Sequence, residues 1–169
     1  KAYITKGFFI LKLRNLIFLK KNKMTVQFNG YFYSKEKKRL GRAAKIFLQY
    51  FKINKDVNFN FESLDAEEIC KQNLNAFNRD EVTDVVTLPI YGNLQDITSK
   101  NNTDGFVGDI LIHRPQVRRN ALQYGKTTVE ELELVLIHGM LHLFGFSHNN
   151  ESLLSKHQEK IIKRVWNGS

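Results

Sequence analysis

The sequence predicts an α+β fold, a small, mixed, mostly four-stranded sheet packed with about five helices, and three observations support this prediction. Residues 34–51 place apolar side chains on one helical face and cations on the other. The stretch VNFNF, residues 57–61, alternates apolar and polar residues as a half-buried strand does. The stretch GFVGDILI, residues 105–112, is a nearly continuous apolar strand, which we expect to lie centrally in the sheet.

The first half of the chain is predicted to begin its fold at Met24. TVQF, residues 25–28, is the first predicted strand, and Ser34 is predicted to cap a helix over residues 34–51. The apolar face of this helix holds Leu40, Ala44, Phe47 and Phe51. The opposite face carries Lys35, Lys38, Arg42, Lys45 and Lys52. VNFNF follows as a strand, and a second helix is expected over residues 65–74.

The second half alternates in the same way. TDVVTLPI is strand-like up to the break at Pro89, and residues 91–105 are predicted as a polar loop. After the central strand, helices are expected over residues 116–123, 128–144 and 150–166. No internal repeat or low-complexity linker interrupts this order.

Length and composition indicate one globular domain. The chain has 169 residues, of which 42% are hydrophobic, enough for a core of its own. Its one cysteine, Cys70, cannot form an intramolecular disulfide. This excludes a disulfide scaffold and favours a reducing cytoplasm.

The net charge of +9 lies mainly in residues 1–23, which contain seven Lys or Arg and no acidic residue. From Met24 onward, 19 basic residues face 17 acidic ones, so residues 24–169 are nearly balanced. Lys12 and Arg14 interrupt the apolar runs of residues 1–23, so these runs are too short and too charged for a membrane span of ~20 apolar residues. We expect residues 1–23 to be a basic extension outside a single domain formed by residues 24–169. A helix lying on a membrane surface is the alternative.

The stretch HGMLHLFGFSH, residues 138–148, contains three of the five histidines. His138 and His142 are four residues apart, so both imidazoles lie on one helical face and can point at one cation. Gly145 is placed to end the helix, and His148 could close the site from beyond the turn. Three neutral imidazoles with a fourth position open are typical of a catalytic zinc. The alternative is that His138 and His142 only pack within an amphipathic helix.

The spacing HxxxHxxGxxH is also that of the metzincin proteases, but Gly139 stands where those enzymes have a glutamate. Without that general base, peptide hydrolysis loses its proton acceptor. The two remaining histidines are weaker candidates. His157 lies on the apolar stripe of the last helix and is predicted to pack in the core. His113 ends the central strand and could face a cleft.

With its GMLHLFG context, residues 138–148 resemble the HGxLHLxGxDH signature of the YbeY endoribonuclease family, a bacterial rRNA maturation factor. LNAFNRDEVTDVVTLP resembles the family's block of LN, an arginine and TDVLSFP, and GFVGDILI resembles its GDI strand. The resemblance covers most of the chain from Met24. Two departures are the shorter spacing between Arg79 and Thr83 and the serine, Ser147, in place of the family's aspartate.

The resemblance implies that His138, His142 and His148 bind one Zn²⁺ and that Arg79 contacts the RNA phosphate or stabilises charge in the cleft. It implies a cytoplasmic, single-strand-specific, metal-dependent endoribonuclease in 16S rRNA 3′ end maturation and ribosome quality control. Expected partners are precursor rRNA and the small ribosomal subunit, with no DNA or membrane. Candidate RNA contacts are the cationic face of the first helix and a cluster of Arg114, Arg118 and Arg119, although a solvated face is the alternative.

The sequence leaves the general base open, as well as whether water or the RNA 2′-hydroxyl attacks. Asp84 and Asp109 lie in the matched blocks, but such residues more often cap or brace strand ends. Two other functions remain possible. One is a zinc-braced rRNA-binding assembly factor without turnover, and the other is a metalloprotease-like hydrolase.

Overall fold

The computed structural model describes residues 24–98 and 105–168. This part of the chain forms four strands: β1 Met24–Asn29, β2 Val57–Ser63, β3 Val85–Pro89 and β4 Phe106–Ile112. It also forms six α-helices: α1 Ser34–Tyr50, α2 Ala66–Phe77, α3 Leu94–Thr98, α4 Arg114–Gln123, α5 Thr128–Leu143 and α6 Glu151–Asn167. A short 3₁₀ turn, His148–Asn150, precedes α6.

The strands form one mixed sheet in the order β1-β2-β4-β3. β1, β2 and β4 run parallel, and β3 is antiparallel to β4. The predicted α+β fold with a mixed four-stranded sheet is confirmed, as is the interior position of β4. Pro89 lies in edge strand β3, where a residue without an amide hydrogen is tolerated.

Helix α5 is the central helix of the molecule, because it packs against α1, α4, α6 and the sheet. Its apolar side chains Leu132, Leu136 and Ile137 are fully buried. They join one core with fully buried side chains from the sheet and from α1, among them Phe47, Phe59, Phe61 and Ile110. Any group that α5 carries is therefore held by contacts on several sides.

The structure shifts several predicted element ends. Ser34 is the first residue of α1 rather than its cap, and the Glu36 carboxylate accepts the Tyr33 backbone N–H at 3.0 Å. Helix α2 continues to Phe77 and ends at Asn78, which adopts a left-handed conformation with φ 57°. Helix α4 begins at Arg114 rather than at residue 116, with a proline in its first turn.

The predicted polar loop over residues 91–105 contains the short helix α3, which the sequence analysis missed. The amide of Asp96 donates to the side-chain oxygen of Asn93 at 2.9 Å, so a local cap stabilises it. The proposed extension, residues 1–23, lies outside the described residues. Within residues 24–98 and 105–168, no helix is long and apolar enough to cross a membrane.

Candidate metal centre

The end of α5 presents His138 and His142 one turn apart, as the sequence spacing predicts. After Leu143 the chain reverses at Gly145, whose φ is +87°, and the Phe146 amide donates to the Leu141 carbonyl at 3.0 Å. A Cβ at Gly145 would lie 2.7 Å from backbone atoms of the segment before α3. The glycine is therefore required both for the turn and for this close approach.

The turn brings His148 back beside the two helical histidines. The Nε2 atoms of His138 and His142 lie 3.0 Å apart, and one ligand atom from each of the three histidines lies within 4.8 Å of the others. His138 and His142 are half-buried and His148 is exposed. The three imidazoles therefore form a cluster that could hold one metal ion and is open on the His148 side.

Each histidine in the cluster has an oxygen acceptor at its Nδ1 atom. His138 Nδ1 lies 2.9 Å from the side-chain oxygen of Gln158, and His142 Nδ1 lies 2.8 Å from the Phe146 carbonyl. His148 Nδ1 lies 2.6 Å from the Glu151 carboxylate. Because these oxygens can only accept, the neutral imidazoles carry their hydrogen on Nδ1, which leaves each Nε2 lone pair for a metal.

The charges at the cluster also suit a cation. With both Nδ1 atoms protonated, the Nε2 lone pairs of His138 and His142 face each other at 3.0 Å, an arrangement that a bound cation stabilises. Burial lowers the pKa of His142, and the neighbouring His138 lowers it further. The neutral form, which is the form that binds metal, is therefore favoured. The residues present fit a metal ion with nitrogen ligands.

The histidines open into a cleft of about 570 Å³. We call it the arginine cleft, because the exposed Arg79 lies on its wall together with Phe77, Asp84 and Ser147. Arg79 follows directly after the left-handed Asn78 that ends α2. Within the described residues its guanidinium makes no hydrogen bond or ion pair to a side chain. The structure thus brings Arg79 and the three histidines to one cleft.

Gly139 has a structural role that its place in the motif does not reveal. It is buried on the side of α5 that faces β4, and a Cβ there would lie 2.8 Å from Cγ2 and 2.9 Å from Cδ1 of Ile110. A larger side chain fits at this position only if Ile110 or the helix itself shifts. The position of the metzincin general base is therefore closed by core packing.

Comparison with known proteins agrees with this geometry. The family model described as Endoribonuclease YbeY matches residues 23–165. The chain belongs to the YbeY family. Curated YbeY endoribonucleases similar to it include one from Acetivibrio thermocellus, 29% identical over 73% of this chain and 83% of the relative. Another, from Sulfurovum, is 35% identical over 58% of this chain and 65% of the relative.

A solved structure is also similar. The solution structure of TM1509 from Thermotoga maritima has a TM-score of 0.58 and 26% sequence identity, over 85% of this chain and 91% of that one. The YbeY resemblance stated from the sequence is confirmed, and family membership supports an RNA-cleaving hydrolase.

The other sequence candidates lie outside the cluster. His113 does not face the cleft: it is buried, and its Nδ1 lies 3.3 Å from the Leu64 carbonyl. His157 is half-buried rather than in the core as predicted: it packs beside the rings of Phe51 and Phe146 and bonds to Tyr50, away from the histidine cluster.

The two aspartates of the matched blocks brace the fold. Asp109 accepts a hydrogen bond from Asn60 across β2 and β4 at 2.6 Å. The Asp84 carboxylate accepts from Thr83 at 3.2 Å and from Asn120 at 3.0 Å. Both aspartates therefore brace the fold, as expected from the sequence, although Asp84 also lines the arginine cleft.

Two of the cations that were candidate RNA contacts, Arg42 and Arg114, form hydrogen bonds within the chain instead. Arg42 donates to the carbonyls of Val165 and Gly168, which ties α1 to the end of α6. Arg114 forms a two-bond pair with Glu36 at 2.9 and 3.1 Å. Arg118 and the lysines Lys35, Lys38, Lys45 and Lys52 are exposed.

Sequence reasoning missed the oxygen acceptors Gln158 and Glu151. A usable signal existed for Gln158, because it lies four residues after Leu154 and three before Ile161 on the buried stripe of α6. A polar residue on such a stripe needs a partner, and His138 is that partner. Glu151 had no comparable signal, because it opens a helix whose direction depends on the preceding turn.

Proposed function

We propose that this chain is a zinc-dependent, single-strand-specific endoribonuclease that acts in 16S rRNA 3′ end maturation and ribosome quality control. The observation that carries the proposal is the histidine cluster, with three Nε2 positions available, in one cleft with Arg79. His138, His142 and His148 are the proposed ligands of one Zn²⁺. Precursor rRNA and the small ribosomal subunit are the proposed partners, in the cytoplasm.

The residues divide the chemistry between them. His138, His142 and His148 would hold the zinc ion, which would supply Lewis-acid chemistry toward a phosphate oxygen or a water molecule. Gln158, the Phe146 carbonyl and Glu151 orient the ligands through the Nδ1 atoms. The Arg79 guanidinium can donate two parallel hydrogen bonds to a phosphate in the cleft, and it would stabilise the charge that develops there.

Among the alternatives, a protease-like hydrolase lacks support because Gly139 packs against Ile110 and leaves no space for a carboxylate. An rRNA-binding assembly factor without turnover shares every feature of the metal centre. Measuring cleavage and binding together separates it from the nuclease.

The test incubates the zinc-loaded protein with three substrates: an unstructured RNA, a duplex RNA, and precursor rRNA that spans the mature 3′ end. Casein serves as the protease substrate. We expect cleavage of the unstructured RNA and the precursor only, its loss with a chelator, and its return when Zn²⁺ is added back. Metal analysis should give one zinc per chain. RNA binding without cleavage would favour the assembly factor, and cleavage of casein would contradict the proposal.

Arg79→Ala and Arg118→Ala form a matched pair, because both arginines are exposed but only Arg79 lines the cleft. We expect Arg79→Ala to lower kcat by about 100-fold, the usual cost of losing a group that stabilises charge in the transition state. Arg118→Ala should keep the wild-type kcat. Equal kcat values for the two variants would remove Arg79 from the proposed site. Cosedimentation with isolated small subunits tests the ribosomal partner.

A further inference from the structure

Each of the two clefts beside His138 is lined by an exposed aromatic residue and a cationic residue. On one side is the arginine cleft, with Phe77 53% exposed and Arg79 two residues later. On the other side is a second cleft of about 390 Å³, which we call the tyrosine cleft, with Tyr124 62% exposed and Lys126 two residues later. Three residues line both clefts: Asp84, Val85 and His138. The clefts therefore adjoin at the metal centre.

The fold holds Tyr124 and Lys126 together at the second cleft. Tyr124 follows α4, and the left-handed Gly125, with φ +64°, turns the chain so that the Lys126 amide donates to the Ala121 carbonyl at 2.8 Å. The Lys126 ammonium lies 4.8 Å from the centre of the Tyr124 ring and 3.2 Å from the Glu131 carboxylate. The turn and the ion pair therefore hold the Lys126 ammonium over the exposed Tyr124 ring.

An exposed aromatic ring beside a cation is suited to one nucleotide of an unpaired strand. Because Lys126 lies over one face of the Tyr124 ring, the base stacks on the opposite face, which is possible only when the base is not covered by a duplex neighbour. An ammonium has three donors, so Lys126 can keep Glu131 and still bind a phosphate. Glu131 neutralises one positive charge, so at this cleft stacking should contribute more to affinity than charge.

We propose that Tyr124 and Lys126 form a second nucleotide subsite, so that an unpaired RNA strand runs from Phe77 and Arg79 across the histidines to Tyr124. This inference rests on the proposed ribonuclease function. A phosphate at the histidines then has a nucleotide held on each side. The two subsites hold the strand on both sides of the histidines and so position the phosphodiester bond between them. Two such stacking sites would account for the proposed preference for unstructured RNA.

The experiment measures kcat/KM for cleavage of an unstructured RNA of about ten nucleotides, a length that spans a typical single-strand site. The zinc-loaded variants are Tyr124→Ala, Tyr124→Phe and Tyr31→Ala. Tyr31 is 63% exposed but lines neither cleft, so it controls for loss of a surface tyrosine. We expect Tyr124→Ala to lower kcat/KM about tenfold, the effect of one lost stack, with the other two near wild type.

A second series replaces one nucleotide at a time with an abasic one. In the wild type, the abasic position that should occupy the tyrosine cleft lowers kcat/KM, and Tyr124→Ala should be insensitive to that position only. If Tyr124→Ala cleaves like Tyr31→Ala, or no position couples to Tyr124, the subsite is wrong while the ribonuclease function stands. If the wild type cleaves no RNA, the proposed function fails, and the subsite fails with it.

Discussion

At the scale of single residues, Gly139 sets how closely helix α5, which carries His138 and His142, lies against the sheet. Ile110 of β4 occupies the space that a side chain at position 139 would need. Gly139, which argues against a protease because it replaces the general-base glutamate, is therefore also a packing residue. The preceding residue, His138, lines the arginine cleft.

Gly139→Ala should lower the free energy of unfolding by about 1–2 kcal/mol, because overpacking against Ile110 outweighs the better helix propensity of alanine. Gly41→Ala in α1 is the control, since a Cβ there would meet no atom within 4 Å beyond its chain neighbours and its own helix backbone, and it should raise stability by up to ~1 kcal/mol. Urea unfolding of both variants measures the difference. Equal effects would show that Ile110 accommodates the methyl group freely.

Glu151 supplies a carboxylate next to the metal centre, on the helix after the turn. The family signature has an aspartate where this chain has Ser147, and here Glu151 bonds to the Nδ1 of His148. Hydrogen-bonded carboxylates of this kind orient a histidine and raise its basicity as a ligand. The hydrogen bond from His148 also lowers the pKa of Glu151, which keeps its carboxylate charged.

Glu151→Gln should weaken zinc affinity by about tenfold, since the carboxylate is replaced by a neutral group at the same position. Competition with a chromogenic chelator measures this affinity directly, without RNA. Glu159→Gln, an exposed glutamate on the same helix, is the charge-matched control and should leave the affinity unchanged. A loss shared by both variants would indicate a general effect of charge rather than a hydrogen bond to His148.

At the scale of elements, the start of α5 is stabilised by a capping box. The Glu130 amide donates to the Thr127 hydroxyl at 3.3 Å, and the Glu130 carboxylate accepts from the Thr127 hydroxyl at 2.7 Å and from its amide at 2.8 Å. The hydrogen bond from the Thr127 side chain lowers the pKa of Glu130 below its ordinary value of 4.5. The helix that carries the metal centre therefore has an acid-sensitive cap.

Thr127→Val should lower the free energy of unfolding by about 1 kcal/mol near pH 7. Because the folded-state pKa of Glu130 is depressed, its contribution is full above pH 4.5 and disappears as the pH falls through the lowered pKa. The gap between wild type and variant should therefore narrow in acid. Urea unfolding of wild type and variant near pH 7 and below pH 4.5 measures this gap, with Thr128→Val as control. A gap independent of pH would contradict the role of the carboxylate.

Local patterns predicted the elements well where one helical or strand period dominates. The His138 and His142 spacing and the Gly145 turn are local, so the centre of the site could be predicted from the sequence. The end of α2 could not, because residues 75–77 have no clear apolar period and only Asn78 marks the stop. Helix α3 likewise depends on the Asn93 cap rather than on a hydrophobic pattern.

The rest of the site depends on tertiary contacts that no local pattern contains. Gln158 reaches His138 across twenty residues of chain, because α6 packs back on α5. The tyrosine cleft is lined by the start of β3, the turn after α4, α5 and α6, so its residues come from separate parts of the sequence. The antiparallel pairing of β3 with β4, which places Asp84 and Thr87 near the histidines, also follows from the fold.

At the scale of the whole molecule, one buried carboxylate ties three helices together. Glu133 of α5 is fully buried and accepts two hydrogen bonds from Arg39 of α1, at 2.9 and 2.7 Å. It also accepts the indole N–H of Trp166 of α6 at 3.1 Å. Hydrogen bonding to this carboxylate also raises the pKa of Arg39. The packing behind the metal centre thus depends on one charged group whose partners come from both flanking helices.

Arg39→Met should cost about 3 kcal/mol of unfolding free energy, because it leaves the Glu133 charge buried without its cation. Adding Glu133→Gln should recover most of that loss, since a neutral amide can still accept from Trp166. Urea denaturation of the single and double variants tests this coupling. Additive losses in the double variant would mean that the pair is not coupled.

A chain that begins at Met24 tests the proposed division of the sequence. We expect it to keep the zinc affinity and the unfolding free energy of the full chain, because the family match begins at residue 23 and β1 begins at Met24. Flotation with anionic vesicles compares the two chains for the membrane-surface alternative. Loss of zinc binding in the shorter chain would place part of residues 1–23 inside the domain.

The hydrogen bond between Trp166 and Glu133 also places an intrinsic fluorophore at the contact between α6 and α5. Trp166 is the single tryptophan of the chain, so fluorescence excited at the red edge of protein absorption comes from one known position. The indole is half-buried beside a carboxylate on the helix that carries His138 and His142. Separation of α6 from α5 would expose it to water and shift its emission, so detachment of the last helix could be followed without any label.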